Sequence, residues 1–352
     1  MERVLFVDDE PRLLDGLQGL LRKRRHEWDM VFAPGGDIGK DHVDKAAFDI
    51  VVSDMRMPKV DGVALLDHVR HVRPEAVRIV LSGYSDLEAT LKLVPIAHQF
   101  LSKPCDGKTL ESVISRALSV KGLVPDPAMR ARLGCIDRLP VAPDTLRCLQ
   151  DLLRDDGVEI EPISRLIGSD VGLGAKLLQI VNSSFFGLAR PCVEIDEAIS
   201  YLGIDILRHL VLTSEAFGDS TQPTPWLGSL NTEAVEIGKA AATLVGGEEA
   251  KEAQLAGFLS DVGVLARTAI EPALILEDYE ESHRRGVPLV EVERERRTVT
   301  HAAIGAYVLG IWGLPEAVVK AVAHHEDLEA PGAPPLVQAT YAAAQAVRAN
   351  PK

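Results

Sequence analysis

The sequence predicts an α/β unit with a doubly wound parallel sheet over residues 1–120, followed by an all-α helical unit over about 130–330. Three observations carry this reading. Short β-branched runs alternate with amphipathic helical stretches in the first third of the 352 residues, and such alternation requires a parallel sheet with helices on both faces. Beyond residue 130 the strand pattern vanishes and helical periodicity takes over. Between the two lies KGLVPDPA, whose two prolines suit a stiff connector spanning 121–129.

Taken in order, Val4-Leu5-Phe6-Val7 reads as a buried first strand. Leu13, Leu17, Leu20 and Leu21 follow at i, i+4, i+7 and i+8, one face of a helix. The basic run Arg22-Lys23-Arg24-Arg25 closes that helix, where cations complement its dipole. Ile50-Val51-Val52 and Ile79-Val80-Leu81 supply strands three and four, and Phe100-Leu101 a short fifth. Leu110, Val113, Ile114, Ala117 and Leu118 mark the last helix of this unit. Past the connector, Ile163, Leu166 and Ile167, then Leu177, Leu178 and Val181, keep helical spacing. EAPGAPPL (329–336) breaks the pattern again before a short Ala-rich helix, which sets 331–352 apart as a C-terminal segment.

Composition narrows the function classes. A hydrophobic content of 46% with 26% charge is that of an ordinary soluble globular chain. A net charge of −14 argues against DNA as the main partner. Cys105, Cys135, Cys148 and Cys192 have no CxxC spacing, so neither a cysteine zinc site nor a disulfide framework is expected, which fits a reducing cytosol. No apolar run approaches the roughly 20 residues of a membrane span, and MERVLFVDDE enters a strand directly rather than reading as a signal peptide. The expectation is a cytoplasmic protein without a membrane partner.

Four features fall at the carboxyl ends of the expected strands, where ligands sit in such folds. They are Asp8-Asp9, Asp54, Ser82-Gly83 and Lys103-Pro104. Three converging carboxylates repel one another unless a cation joins them, and a hard divalent ion such as Mg²⁺ suits oxygen donors. One carboxylate could then accept a phosphoryl group as an acyl phosphate, with the lysine and the serine hydroxyl on its oxygens. Singly, each residue has a plainer explanation. Asp9 could cap the helix at Glu10-Pro11, Ser82 could form a turn, Lys103 could lie solvated and Phe100 could simply pack.

Together, VLFVDDEP (4–11), DIVVSDMRMPKVDG (49–62), RIVLSG (78–83) and FLSKPCD (100–106) resemble the response-regulator receiver domain, a five-stranded flavodoxin-like fold. That resemblance implies Asp54 as phospho-acceptor. It implies Mg²⁺ held by Asp9, Asp54 and the backbone carbonyl of Arg56, with Asp8 assisting through water. Lys103 would contact the phosphate, through a Lys-Pro bond that family members usually hold cis. Ser82 would be the switch hydroxyl and Phe100 the aromatic switch residue.

The helical part carries DRLPVAP (137–143), DVGLGAKLLQIVNSSFFG (170–187), EAISYLG (197–203), WLGS (226–229), GFLSDVGVL (257–265), HAAIGAYVLGIWGLP (301–315) and AVAHHE (321–326). These resemble the HDOD output domain, a non-catalytic relative of the HD metal-dependent phosphohydrolases. Hydrolytic sites of that type need several imidazoles, a bridging aspartate and a position for activated water. Asp261, His301, His324 and His325 stand at matching places. Ser260 replaces the His of His-Asp, and Gly228 stands where an earlier histidine is expected. A degenerate site (Ser260, Asp261, His301, His324, His325) without catalytic residues and without metal is therefore the expectation, although the four retained groups also read as helix-end and bundle polar residues. NSSFFG reads either as a helix-ending core turn or as a partner contact.

The expected whole is a phosphorylation-controlled response regulator. A sensor histidine kinase would be its donor, Mg²⁺ its cofactor, and an unknown downstream protein the partner of the HDOD domain. A homodimer follows from the resemblance alone. The alternatives are a metal-dependent cyclic-dinucleotide phosphodiesterase and a nucleotide-binding output domain that does not hydrolyse.

Overall fold

Five parallel strands with helices between them occupy the first part of the chain. The computed structural model describes residues 1–83, 93–155, 157–182, 188, 190–213, 224, 226–328 and 332–349. They form two compact units, the first chiefly residues 1–137 and the second most of 138–352. The strands are β1 (Glu2–Asp8), β2 (Trp28–Pro34), β3 (Ile50–Asp54), β4 (Val77–Gly83) and β5 (Gln99–Lys103). Their order is β2-β1-β3-β4-β5, all parallel. Chain progression reverses between β1 and β3, and the crevice beyond their carboxyl ends is where a doubly wound sheet binds ligands. Val4, Leu5, Phe6, Ile50, Val51, Ile79 and Val80 are fully buried along the three central strands.

Helices α1 (Pro11–Leu20), α2 (Gly36–Lys45), α3 (Gly62–Val72) and α4 (Gly107–Ser119) flank the sheet. The first of these departs from expectation. Leu14, Leu17 and Leu21 form the buried stripe, Leu13 is half-buried and Leu20 is 56% exposed. At 100° per residue, positions 14, 17 and 21 fall within about 60°, and 13 and 20 lie together on one rim of that stripe. In α4, Leu110, Val113, Ile114 and Ala117 are buried as expected and Leu118 is half-buried. Strand β2 is an edge strand of mixed burial, so no apolar run announced it.

The connector is folded rather than extended. A 3₁₀ turn spans Val120–Leu123, and α5 (Pro127–Gly134) follows at once. Pro127 sits in the first turn, where its missing N–H costs nothing, and Asp126 accepts from the Ala128 amide at 3.0 Å. The far end of α5 is pinned to the sheet unit. The buried Arg78 guanidinium donates to the carbonyls of Ile96 (2.7 Å), Ala76 (3.2 Å) and Gly134.

In the second unit the helices are α6 (Pro143–Leu153), α7 (Ile160–Ile167), α8 (Val171–Asn182), α9 (Ile195–Leu202), α10 (Ile204–Thr213) and α11 (Leu227–Leu244). Then come α12 (Glu249–Phe258), α13 (Val262–Ile270), α14 (Pro272–Arg285), α15 (Leu289–Arg296), α16 (His301–Ile311), α17 (Glu316–Ala323) and α18 (Pro335–Ala349). Among the described residues no helix is long and apolar enough to cross a membrane. Helix α18 lies within the expected C-terminal segment. It runs 15 residues, buries Leu336, Val337, Ala339, Thr340, Ala343 and Ala344, and packs against α11, α12 and α17.

Two glycines set the approach of α13 to α16. A Cβ on Gly263 would lie 1.8 Å from the His301 carbonyl oxygen, and one on Gly305 would lie 2.9 Å from the Gly263 nitrogen. Backbone cannot move aside as a side-chain tip can. Gly263→Ala is expected to cost about 2–3 kcal/mol in urea unfolding of the full chain. An unchanged midpoint would show that the crossing tolerates a wider spacing.

Candidate functional site

At the carboxyl edge of the sheet, β1 delivers Asp8 and Asp9, β3 delivers Asp54, and β5 delivers Lys103. Lys103 Nζ lies 2.7 Å from Asp8 Oδ2 and also pairs with Asp54 Oδ1. Oxygens of Asp8, Asp9 and Asp54 all lie within 4.8 Å of one another. Asp8 and Asp54 are buried and Asp9 is exposed, so the cluster opens to solvent on one side. Burial pushes the Asp54 carboxyl above the usual carboxylate range, against the pull of Lys103. Burial also works against the Lys103 ammonium, but its bonds to Asp54 and Asp8 outweigh that and leave its pKa raised.

The surrounding residues take the expected places. Ser82 is buried at the end of β4 and donates to the Gly83 carbonyl at 3.2 Å. Phe100 is buried on β5 opposite Val80. The Lys103–Pro104 peptide is cis. Arg56 is exposed, two residues beyond Asp54. Residues 84–92, which hold the segment after β4, lie outside the described residues. An all-oxygen donor set with one open side fits a hard divalent cation such as Mg²⁺.

The second cluster is buried inside the helical unit. Asp261 precedes α13, His301 opens α16, and His325 and Glu326 follow α17. His301 Nε2 lies 3.3 Å from Asp261 Oδ1 and 3.4 Å from Glu326 Oε1. His325 Nε2 lies 3.4 Å and 3.5 Å from the same two oxygens. Both imidazoles are oriented from behind. His325 Nδ1 donates to the Val322 carbonyl at 2.7 Å, and His301 Nδ1 meets Glu293 Oε2 at 2.7 Å. Glu293 also accepts from the His301 amide at 2.9 Å and from Arg267, at 2.6 Å. Both Nε2 atoms are buried without a hydrogen-bond partner.

A cation from the last helix closes this cluster. Arg348 of α18 donates to Asp261 Oδ1 and Oδ2 at 2.9 and 2.7 Å, to Glu326, and to Glu233 of α11 at 2.7 Å. Burial opposes ionisation of Asp261, but Arg348 and the two histidines hold its pKa well below the ordinary value. Glu326 is depressed in the same way: burial opposes, the histidines and Arg348 prevail.

A family model for the HDOD domain matches residues 139–328, more than half of the chain, and one for the response regulator receiver domain matches residues 4–115. The chain belongs to the HDOD family. With its receiver domain ahead of the HDOD domain, it has the architecture of a response regulator. An uncharacterized protein of Treponema pallidum (strain Nichols) is 30% identical over 201 residues, covering 55% of this chain and 38% of that one. Transcriptional regulatory protein ZraR of Escherichia coli (strain K12) is 27% identical over 221 residues, covering 61% and 46%. The chain thus spans less than half the length of these curated relatives. The MmoQ response regulator of Methylococcus capsulatus str. Bath is a similar solved structure, at 23% identity and TM-score 0.49 over 59% of this chain and 85% of that one.

Within the HDOD domain the expected site is only partly assembled. Asp261, His301 and His325 converge, whereas His324 is half-buried and stands outside the cluster. A one-residue step in the turn after α17 sends neighbouring side chains in different directions, so only one of the two histidines can face inward. Ser260 is buried, and its hydroxyl donates to the Gly257 carbonyl at 2.9 Å. Gly228 begins α11, and a Cβ there would meet nothing within 4 Å. Asn182 ends α8, and the rest of NSSFFG lies outside the described residues. Sequence reasoning missed Glu293, Glu326, Arg267 and Arg348. Glu326 adjoins the histidine pair in AVAHHE, which was its one local signal.

Proposed function

We propose that this response regulator takes a phosphoryl group on Asp54 from a sensor histidine kinase and relays the change to an HDOD domain that acts by binding another protein. The supporting observation is the pairing of Lys103 with both Asp8 and Asp54 at the open edge of the sheet. In this reading Asp9, Asp54 and the Arg56 carbonyl hold Mg²⁺, with Asp8 acting through water. The bound ion would neutralise phosphoryl oxygens. An Asp54 carboxylate oxygen forms the new P–O bond as the donor's P–N bond breaks, and the imidazole leaves. Lys103 exchanges its contact with Asp54 for a phosphoryl oxygen, and the Ser82 hydroxyl turns from the Gly83 carbonyl to another. Movement of the segment after β4, coupled to Phe100, would then alter the surface the domain presents.

On the output side, Ser260 spends its hydroxyl on backbone and Gly228 offers no side chain, so two of the expected imidazoles have no substitute. This supports a binding role over hydrolysis. The proposed setting is the cytoplasm, with a homodimer as its assembly and a protein rather than DNA as the downstream partner.

The test is to treat the full chain with an acyl-phosphate donor and Mg²⁺, map the modified peptide by mass spectrometry, and follow hydrogen exchange. One phosphoryl group on Asp54 with altered exchange in the helical unit is expected. Modification elsewhere, or an unaltered helical unit, would overturn the reading. Gly62→Ala probes the geometry, because a Cβ there would lie 2.2 Å from the Asp54 carbonyl oxygen. Phosphoryl uptake by that variant is expected to fall about ten-fold or more.

A further inference from the structure

The four distances between the histidine Nε2 atoms and the carboxylate oxygens of the HDOD cluster lie between 3.3 and 3.5 Å. A tetrahedron with metal–ligand bonds of about 2.1 Å has edges of about 3.4 Å. The four nitrogen–oxygen distances match that edge length, and all four ligand atoms lie within 4.8 Å of one another. Both histidines are also held from behind. A backbone carbonyl and a carboxylate engage their Nδ1 atoms, the arrangement that aims Nε2 at a metal. Those Nε2 atoms are buried and have no hydrogen-bond partner. Two imidazoles and two carboxylates make a donor set for zinc-type ions rather than Mg²⁺.

The guanidinium of Arg348 rests on the same oxygens. It bonds Asp261 Oδ1, which faces both imidazoles, and it also engages Glu326 Oε1, the other oxygen they face. A divalent ion bound to those oxygens would stand a few ångströms from a fixed positive charge in a buried place, where such repulsion is weakly screened. We propose that Asp261, His301, His325 and Glu326 form a mononuclear tetrahedral site for a zinc-type divalent ion, and that Arg348 is a tethered cation competing for it. Metal loading and docking of the α18 end are then alternatives. The site completes its ligand set with Glu326, and it departs from the expectation of an HDOD domain without metal. It stands independently of phosphorylation at Asp54.

The test uses Co²⁺, whose tetrahedral complexes absorb strongly in the visible where octahedral ones do not. Full-length protein in an Asp54→Ala background, which weakens the receiver site, is titrated with Co²⁺ and then with Zn²⁺. One tetrahedral Co²⁺ per chain, displaced by Zn²⁺, is expected. Arg348→Gln should tighten binding by about ten-fold or more. His301→Ala and His325→Ala should each abolish the tetrahedral spectrum. Loading should speed hydrogen exchange of amides in 335–349. Equal affinity with and without Arg348 would overturn the competition. A tetrahedral spectrum that survives both histidine substitutions would place the metal elsewhere, for instance on cysteine. An absent spectrum in folded Arg348→Gln protein would overturn the site itself.

Discussion

Asp54→Asn protein is expected to take up no phosphoryl group from an acyl-phosphate donor, while unfolding within about 1 kcal/mol of the wild type. The amide has nearly the same shape but no nucleophilic carboxylate. Stability should survive because burial already disfavours the charged form of Asp54, and Lys103 keeps its 2.7 Å contact with Asp8. Lys103→Ala should behave differently. The nucleophile remains, but the cation that meets the transferred oxygens is gone, so uptake should fall by about 10²–10³-fold without vanishing. Intact-mass measurement over time separates the two. Full labelling of the Asp54→Asn chain would remove Asp54 from the reaction.

The largest expected loss of stability comes from the helical unit. Arg267 is 1% exposed, and its partner Glu293 is fully buried at 2.6 Å. Removing the guanidinium leaves a buried carboxylate supported only by His301, and breaking a buried pair from one side costs roughly 3–5 kcal/mol. Arg267→Ala is therefore expected to lower the urea-unfolding free energy of the helical unit by about that amount. The exposed, two-contact pair of Arg285 and Glu295 is the control. Arg285→Ala should cost no more than about 1 kcal/mol.

The pH response carries the same information. Burial opposes ionisation of Glu293, but His301 and Arg267 hold its pKa below the ordinary glutamate value. A depressed carboxylate contributes stability that is complete above its unfolded pKa and is lost as pH falls through the folded one. Arg267→Ala should thus flatten the acid limb of the wild-type stability profile. A cost under about 1 kcal/mol together with an unchanged acid limb would mean that His301 alone satisfies Glu293.

The receiver site was legible in the sequence because its residues are placed by local rules. In a parallel sheet every strand exits on the same edge, so a residue just past an apolar run is already located in space. Asp8, Asp54, Ser82 and Lys103 each follow such a run, and the structure brings them to one edge. Strand β2 escaped because an edge strand need not be apolar on both faces, and the buried stripe of α1 is centred on Leu14, Leu17 and Leu21, which leaves Leu13 and Leu20 together on one rim. The connector is partly helical, since Asp126-Pro127 is a helix start as well as a chain break.

The sequence by itself determined the two fold classes, the order of elements, the carboxylate edge, and the absence of imidazole at positions 228 and 260. Those follow from residue type and from periodicity along one element. Only the tertiary structure decided which polar groups of the helical unit meet. Asp261, Glu293, His301, Glu326 and Arg348 come from separate elements, with a sequence separation of 87 for one carboxylate–guanidinium pair. A helix fixes which of its residues share a face, but not which other helix that face will touch. That is set by packing, and here by glycines such as Gly263 that let α13 and α16 approach. It is why His324 could be mistaken for a site residue, and why Arg348 looked like any arginine on an alanine-rich helix.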